Sequence, residues 1–220
     1  AMDIRHASRS LLWLQPDTVL VYDRADSRTE GRFKRFHLTL VSLPTVAGRR
    51  AVETTAGGQH LVIQNLLPES AVLRALPAEA FKTVAQLEPS QARLVVEDPA
   101  NPRSVRFLHL LRPTDAGVAL PADAVLLRSD PGPAEGTAFE GAVVGAEAVL
   151  FAKDLGGIPP SLSFRVPATV EHFTVTGLAP GAAYAIAILE RGDERTVTVG
   201  ASGSVGGRED TADEAGVLRF

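Results

Sequence analysis

The chain has 220 residues and no cysteine. Disulfide scaffolds, thiolate metal sites, iron–sulfur ligation and cysteine nucleophiles are therefore excluded. One Trp, one Met, two Tyr and five His leave few groups from which to build an acid–base or nucleophilic centre. No apolar run reaches membrane-spanning length. The opening "AMDIRHASRS" carries no apolar leader core. Ala1-Met2 reads as an appendage to a piece of a longer protein. Net charge is −4 and the isoelectric point is near 5.8, with Lys and Arg scattered along the chain. A nucleic-acid partner needs a basic stripe and an electrostatic membrane anchor needs a polybasic cluster; neither partner is expected. Helical periodicity is scarce. Only "PAEAFKTVAQL", residues 77–87, offers a helix start, with Pro at its first position.

What the sequence has in plenty is strand and turn. Short runs rich in Val, Leu, Thr and Phe alternate with clusters drawn from 19 Gly and 15 Pro. Strands are predicted at 10–14, 18–23, 33–40, 51–55, 59–66, 71–75, 92–97, 104–111 and 124–129. Further ones are predicted at 139–144, 148–152, 161–166, 172–176, 183–190, 195–201 and 217–220. The spacing predicts an all-β fold: a large antiparallel β-sandwich of many short strands. A chain of this mass buries roughly 70% of its extended surface, enough for a core without a metal. One sandwich over 1–220 is expected, because a tail of about sixty residues is short for a sandwich of its own. The alternative is a sub-boundary near 154–164, where "DLGGIPPSLSF" stands.

Candidate functional residues concentrate early. Asp23 and Arg24 end the run "TVLVYDR"; they can serve a site, or simply close a strand by satisfying turn amides. His6, Asp23 and His37 make a potential metal trio of imidazole and carboxylate donors. No tight ligand spacing supports it, and convergence depends on strand register. In "RFKRFHLTL", Phe33, Arg35, His37 and Thr39 share one face and Lys34, Phe36, Leu38 and Leu40 the other. Arg32, Lys34, Arg35 and His37 are the candidate wall for an anionic sugar, since guanidinium and aromatic faces suit such ligands. The bland alternative is an edge strand that uses charge against mispairing.

Elsewhere the motifs read as structure. "TTAGGQ" (54–59) lacks the phosphate-loop lysine and a following helix, so it is a hairpin turn. His60 and His109 lie in apolar strands. The acidic "GGREDTADEAG" lacks the ligand spacing of a Ca2+ loop and reads as a solvated turn.

Two resemblances follow from the motifs. "TVTGLAPGAAYAIAI" (174–188) resembles the fibronectin type III pattern in Leu178, Pro180, Gly181 and Tyr184. It implies a leucine plugging the core beneath a turn and a tyrosine opening the next strand. The stretch "RSLLWLQPDTVLVYDRADSRTEGRFKRFHLTLVSLPTVAGRRA" resembles the C-terminal β-sandwich of heparinase II/III-like polysaccharide lyases. Pro16-Asp17, Val21-Tyr22-Asp23-Arg24, Ser27, Phe33-Lys34-Arg35 and Pro44 carry the match, and "GQHLVIQNLLPESA" and "VRFLHLLRPTD" look like the same sandwich continuing. Such lyases cleave acidic polysaccharides by β-elimination, with their principal catalytic groups on an α-helical toroid. Some hold Zn2+ in the sandwich through His and Asp. Here the family histidine falls at about Leu40, and His37 stands where an aromatic is usual, so Asp23 alone carries over.

The resemblance implies a non-catalytic, carbohydrate-associated module of a secreted or periplasmic bacterial lyase. It would line a groove for acidic glycan beside an upstream helical domain. No catalytic residue and no cofactor is assigned, Zn2+ or Ca2+ being the ions its donor sets suggest. The other readings are a structural or adhesive spacer without ligand and a self-contained polysaccharide-degrading enzyme.

Overall fold

The computed structural model describes residues 3–81, 91–130, 138–154 and 161–220. The chain is all-β, and its only helical element among these residues is a single 3-10 turn at Ala78–Ala80. That turn occupies the start of the predicted helix; residues 82–87 of that block lie outside the described residues. The chain divides into two compact units, Ala1–Asp123 and Ala124–Phe220.

Among the described residues the first unit holds nine strands: β1 (Ile4–Leu14), β2 (Thr18–Ser27), β3 (Arg35–Leu40), β4 (Thr45–Ala47), β5 (Arg50–Thr54), β6 (His60–Leu67), β7 (Val72–Pro77), β8 (Ala92–Glu97) and β9 (Ser104–Thr114). Six form one sheet in the order β1-β2-β9-β6-β5-β4, and three form a second, β3-β8-β7. All its ladders are antiparallel. "TTAGGQ" is the predicted hairpin turn: the Thr55 amide donates to the Gln59 carbonyl at 2.9 Å, and Gly58 takes a φ of +81°. Strand alternation builds the core. Val21, Ala51, Ile63, Val105 and Phe107 project from one face of the large sheet onto Phe36, Leu40, Leu73, Leu94 and Val96 of the small one. Burying each of the Val, Ile, Leu and Phe side chains contributes about 1.5–3 kcal/mol.

The second unit holds β10 (Val125–Arg128), β11 (Phe139–Val144), β12 (Glu147–Ala152), β13 (Ser161–Pro167), β14 (His172–Thr176), β15 (Ala183–Arg191), β16 (Glu194–Ala201), β17 (Arg208–Thr211) and β18 (Val217–Arg219). The sheets are β10-β11-β12-β14-β18 and β13-β16-β15-β17. One pair, β12 with β14, is parallel. Phe139, Leu150, Val175 and Leu218 of the first sheet meet Phe164, Ile186, Val197 and Val199 of the second in one apolar core. At the Gly-Leu-x-Pro-Gly corner, Gly177 adopts a φ of +80°, Leu178 is buried, and the Ala179 amide donates to the Tyr184 hydroxyl at 2.9 Å. A tyrosine hydroxyl bonded back to upstream backbone is a recurrent corner device of sandwiches.

The division falls after Asp123, where one sandwich over 1–220 or a boundary near 154–164 is expected from sequence. Among the described residues every strand ladder lies within one unit or the other. The paired β12 and β14 stand on either side of the Gly-Gly and Pro-Pro stretch, of which residues 155–160 lie outside the described residues. The tail after 165 is thus no separate body. Its strands complete the sheets begun at Val125.

Candidate functional site

The two sheets of the first unit differ in width, and the site is a consequence. Register places Ala7, Arg9, Leu11 and Trp13 of β1 opposite Ala25, Asp23, Val21 and Val19 of β2. This is the face that β3-β8-β7 covers further in, where Val21 and Phe107 are buried. Out at β1 the cover ends: Leu11 is 66% and Trp13 60% exposed. The overhanging edge forms the floor of a groove of about 690 Å3. Its wall is the segment entering β3, which carries Arg32, Phe33, Lys34 and Arg35.

Charge gathers here. Arg9 forks onto Asp23, Nε and Nη2 each 2.6 Å from a carboxylate oxygen, and its guanidinium lies 5.2 Å from the Phe36 ring centre. The Asp23 hydrogen bond holds the Arg9 pKa above its ordinary value. Arg32 donates its Nε–H to Asp3 at 2.9 Å and contacts the Thr29 hydroxyl at 3.2 Å. The Thr29 hydroxyl, and after it Arg32, keep the Asp3 carboxyl below its usual range. Arg35 donates its Nε–H to Glu97 at 2.5 Å and lies over the Phe33 ring at 4.6 Å. Arg74 binds the second oxygen of Glu97. The Arg35 hydrogen bond, aided by Arg74, lowers the Glu97 pKa. Among the described residues, the terminal nitrogens of Arg32 and Arg35 make no further hydrogen bond. Phe33 is 66% exposed beside them.

Lys34 behaves differently. Its ammonium donates to the Ser27 hydroxyl at 2.9 Å, the Arg32 carbonyl at 3.1 Å and the Pro102 carbonyl at 2.7 Å. Three donors meet three acceptors, and burial lowers its pKa against the pull of Asp26 and Asp3. Lys34 is a clamp that holds the wall to the body of the unit. Asp26 is bonded to Ser104 at 2.7 Å and Arg106 at 2.8 Å. Burial pushes its carboxyl up, but these two donors outweigh it and the pKa is lowered.

Of the four residues expected to form a glycan wall, Arg32, Lys34 and Arg35 line the groove. His37 does not. It lies exposed on the outer face of β3, where burial, Arg93 and Arg35 depress its pKa against Glu97. The trio His6, Asp23 and His37 is not brought together. His6 bonds Ser8 at 2.9 Å on the other face of β1, Asp23 faces Arg9 in the groove, and His37 belongs to the other sheet. Among the described residues no three His, Asp or Glu side chains gather as metal ligands. In the acidic turn, Asp213 accepts the Ala215 and Val217 amides at 2.9 Å, and Glu209 accepts from Ser202 and Gly203. Tyr22 is fully buried beneath the Arg24 guanidinium, 4.7 Å from its ring, so it presents no hydroxyl to a ligand.

Sequence reasoning missed Arg9, Asp3 and Glu97. The one usable signal was parity: Arg9 shares the odd-numbered face of β1 with Leu11 and Trp13. No helix among the described residues is long and apolar enough to cross a membrane.

No family model and no curated protein matches the chain. Solved structures similar to it include two of heparan sulfate lyase HepC. The crystal structure of heparan sulfate lyase HepC from Pedobacter heparinus is 19% identical with a TM-score of 0.46, over 67% of this chain and 24% of that one. A mutant of the same HepC is also 19% identical, with a TM-score of 0.45, over 66% and 23%. The chain thus spans about a quarter of the length of those lyases.

Proposed function

We propose that this chain is a non-catalytic, carbohydrate-associated β-sandwich module whose first unit lines a groove for acidic glycan. Its parent is an exported, heparinase II/III-like polysaccharide lyase of bacterial origin. An upstream helical domain supplies the catalytic groups for β-elimination. One observation carries the glycan reading. Arg32 and Arg35 each spend only the Nε–H on protein partners and keep their terminal nitrogens uncommitted at a concave site beside an exposed aromatic ring. A planar guanidinium with two such nitrogens matches a carboxylate or sulfate fork. The motif match through Phe33-Lys34-Arg35 supports the parent family. Affinity electrophoresis through gels holding a sulfated glycosaminoglycan, a polyuronate or a neutral glucan tests it. The expected result is retardation by an acidic polymer only, weakened by salt and reduced roughly tenfold in affinity by Arg32→Ala or Arg35→Ala. Equal mobility in all three gels would discard the groove.

A second reading, a spacer without ligand, draws on the carboxylate partners of the same residues. Asp23, Asp3 and Glu97 already offset Arg9, Arg32 and Arg35. Equal mobility in all three gels would point there.

A further inference from the structure

We propose that the groove continues along β1 into an aromatic platform, where Trp13 stacks on a sugar ring of the glycan whose anionic groups sit on Arg9, Arg32 and Arg35. This rests on the acidic-glycan reading above and assigns a further part of the same ligand to a different residue. Arg9, Leu11 and Trp13 share one face of β1. Arg9 belongs to the groove lining, and the exposed Leu11 and Trp13 lie beyond that lining, two and four positions further along the same strand. Four residues of strand separate Arg9 from Trp13, roughly 13 Å at the usual rise, the reach of a short oligosaccharide.

The chemistry of the stripe changes in the sense such a ligand requires. Guanidinium groups stand at one end, for carboxylate or sulfate. An uncharged, apolar surface stands at the other, for the C–H face of a pyranose. The Trp13 indole donates to the Pro16 carbonyl at 3.1 Å. That bond takes up the ring's polar atom and fixes its edge. Indole offers a large electron-rich face at little cost in ordering. The groove lining carries five cationic side chains, Arg9, Arg24, Arg32, Lys34 and Arg35, against three carboxylates, Asp3, Asp23 and Asp26, so charge complementarity favours the acidic glycan over a purely apolar occupant.

Trp13 is the only tryptophan of the chain, so its emission reports this position alone. The whole chain is titrated with a heparin hexasaccharide and a polygalacturonate hexasaccharide, by fluorescence and calorimetry in parallel. The expected result is a change in tryptophan emission that saturates with the calorimetric heat. Trp13→Ala then weakens binding roughly three- to tenfold, the size of a good aromatic contact, and Trp13→Tyr restores most of it. Calorimetric binding that Arg32→Ala weakens, with tryptophan emission and Trp13→Ala affinity unchanged, overturns the platform and keeps the groove. Absence of heat with both oligosaccharides overturns platform and groove together. Sedimentation supplies the last outcome: self-association abolished by Trp13→Ala, with glycan affinity intact, gives the stripe to a second copy of the chain and overturns the platform.

Discussion

In Ala1–Asp123 six strands pack on three, whereas in Ala124–Phe220 five pack on four. The matched sheets of the second unit cover one another, and the core between them is apolar throughout. Among the described residues its buried polar side chains are Ser129, Glu140 and Thr174. The first unit instead buries Arg24, Arg106, His109 and Arg112, and its wide sheet leaves the β1 edge uncovered. The contrast shows that the site comes from a mismatch. A strand with no counterpart above it supplies a floor, and the segment leading into the nearest covering strand supplies a wall.

The sharpest way to break the comparison is to damage the well-packed core. Phe164, buried against Phe173 with ring centres 6.1 Å apart, should cost roughly 3–5 kcal/mol as Phe164→Ala. Amide exchange should show protection lost across β13 to β16, while Trp13 emission follows the first unit separately. Uniform loss of protection in both units would mean that they unfold as one.

Acid should act on the first unit through its core. His109 is fully buried, its ring centre 3.9 Å from that of Phe36, and among the described residues neither ring nitrogen has a hydrogen-bond partner. Burial, with a smaller push from Arg9, takes its pKa down from 6.5 to about 3. The folded form therefore keeps the ring neutral, while the unfolded chain takes a proton below pH 6.5. Stability should be unaffected by this residue above that pH and fall by about 1.4 kcal/mol per pH unit beneath it. The fall should level off near the folded pKa of about 3. Urea melts followed by Trp13 emission should lose this component in His109→Leu. An equal slope in the variant would assign the acid sensitivity to carboxylates such as Asp26 or Glu97.

The smallest effect separates wall from ligand. Lys34→Met removes three hydrogen bonds and should destabilise the first unit by roughly 1–3 kcal/mol. Arg32→Ala should leave its urea midpoint unchanged, because an exposed ion pair contributes little. Matching midpoints for the two variants would show that Lys34 is no more a clamp than its neighbour.

The strands themselves were legible, since period-2 alternation between turn residues survives in one dimension. Two escaped. "TVA" of β4 and "REDT" of β17 are short and offer no apolar alternation. The N-terminal half of β1 was also underread, because "IRHASRS" is polar and gains its strand form from pairing with β2. The division after Asp123 was illegible for a different reason. "LPADAV" is punctuated no more strongly than any other turn, and the louder Gly-Gly and Pro-Pro signal stands between strands of a single unit. Only long-range pairing decides between them. In the site, "RFKR" announced itself by charge and aromatic content. The saturation of Lys34 depends on the Pro102 carbonyl, and the pairing of Arg35 on Glu97, both more than sixty residues away. Parity correctly put Lys34 with the inward Phe36 and His37 with Arg35, without saying which face the groove would use.

The late strand β18 has a consequence for biosynthesis. It pairs with β14, and beyond it the Phe173 and Phe220 backbones exchange hydrogen bonds at 3.0 and 3.1 Å under stacked rings. The first unit has all its strands once β9 is made, but the second lacks one edge until Val217 to Phe220 emerge. At 5–20 residues per second, roughly 5–20 s of translation separate the two completions. For the last part of that interval, the roughly 40 residues or 2–8 s between β14 and β18, β14 is an open, apolar edge on a nascent chain, and the second unit is the one most in need of a chaperone on the ribosome.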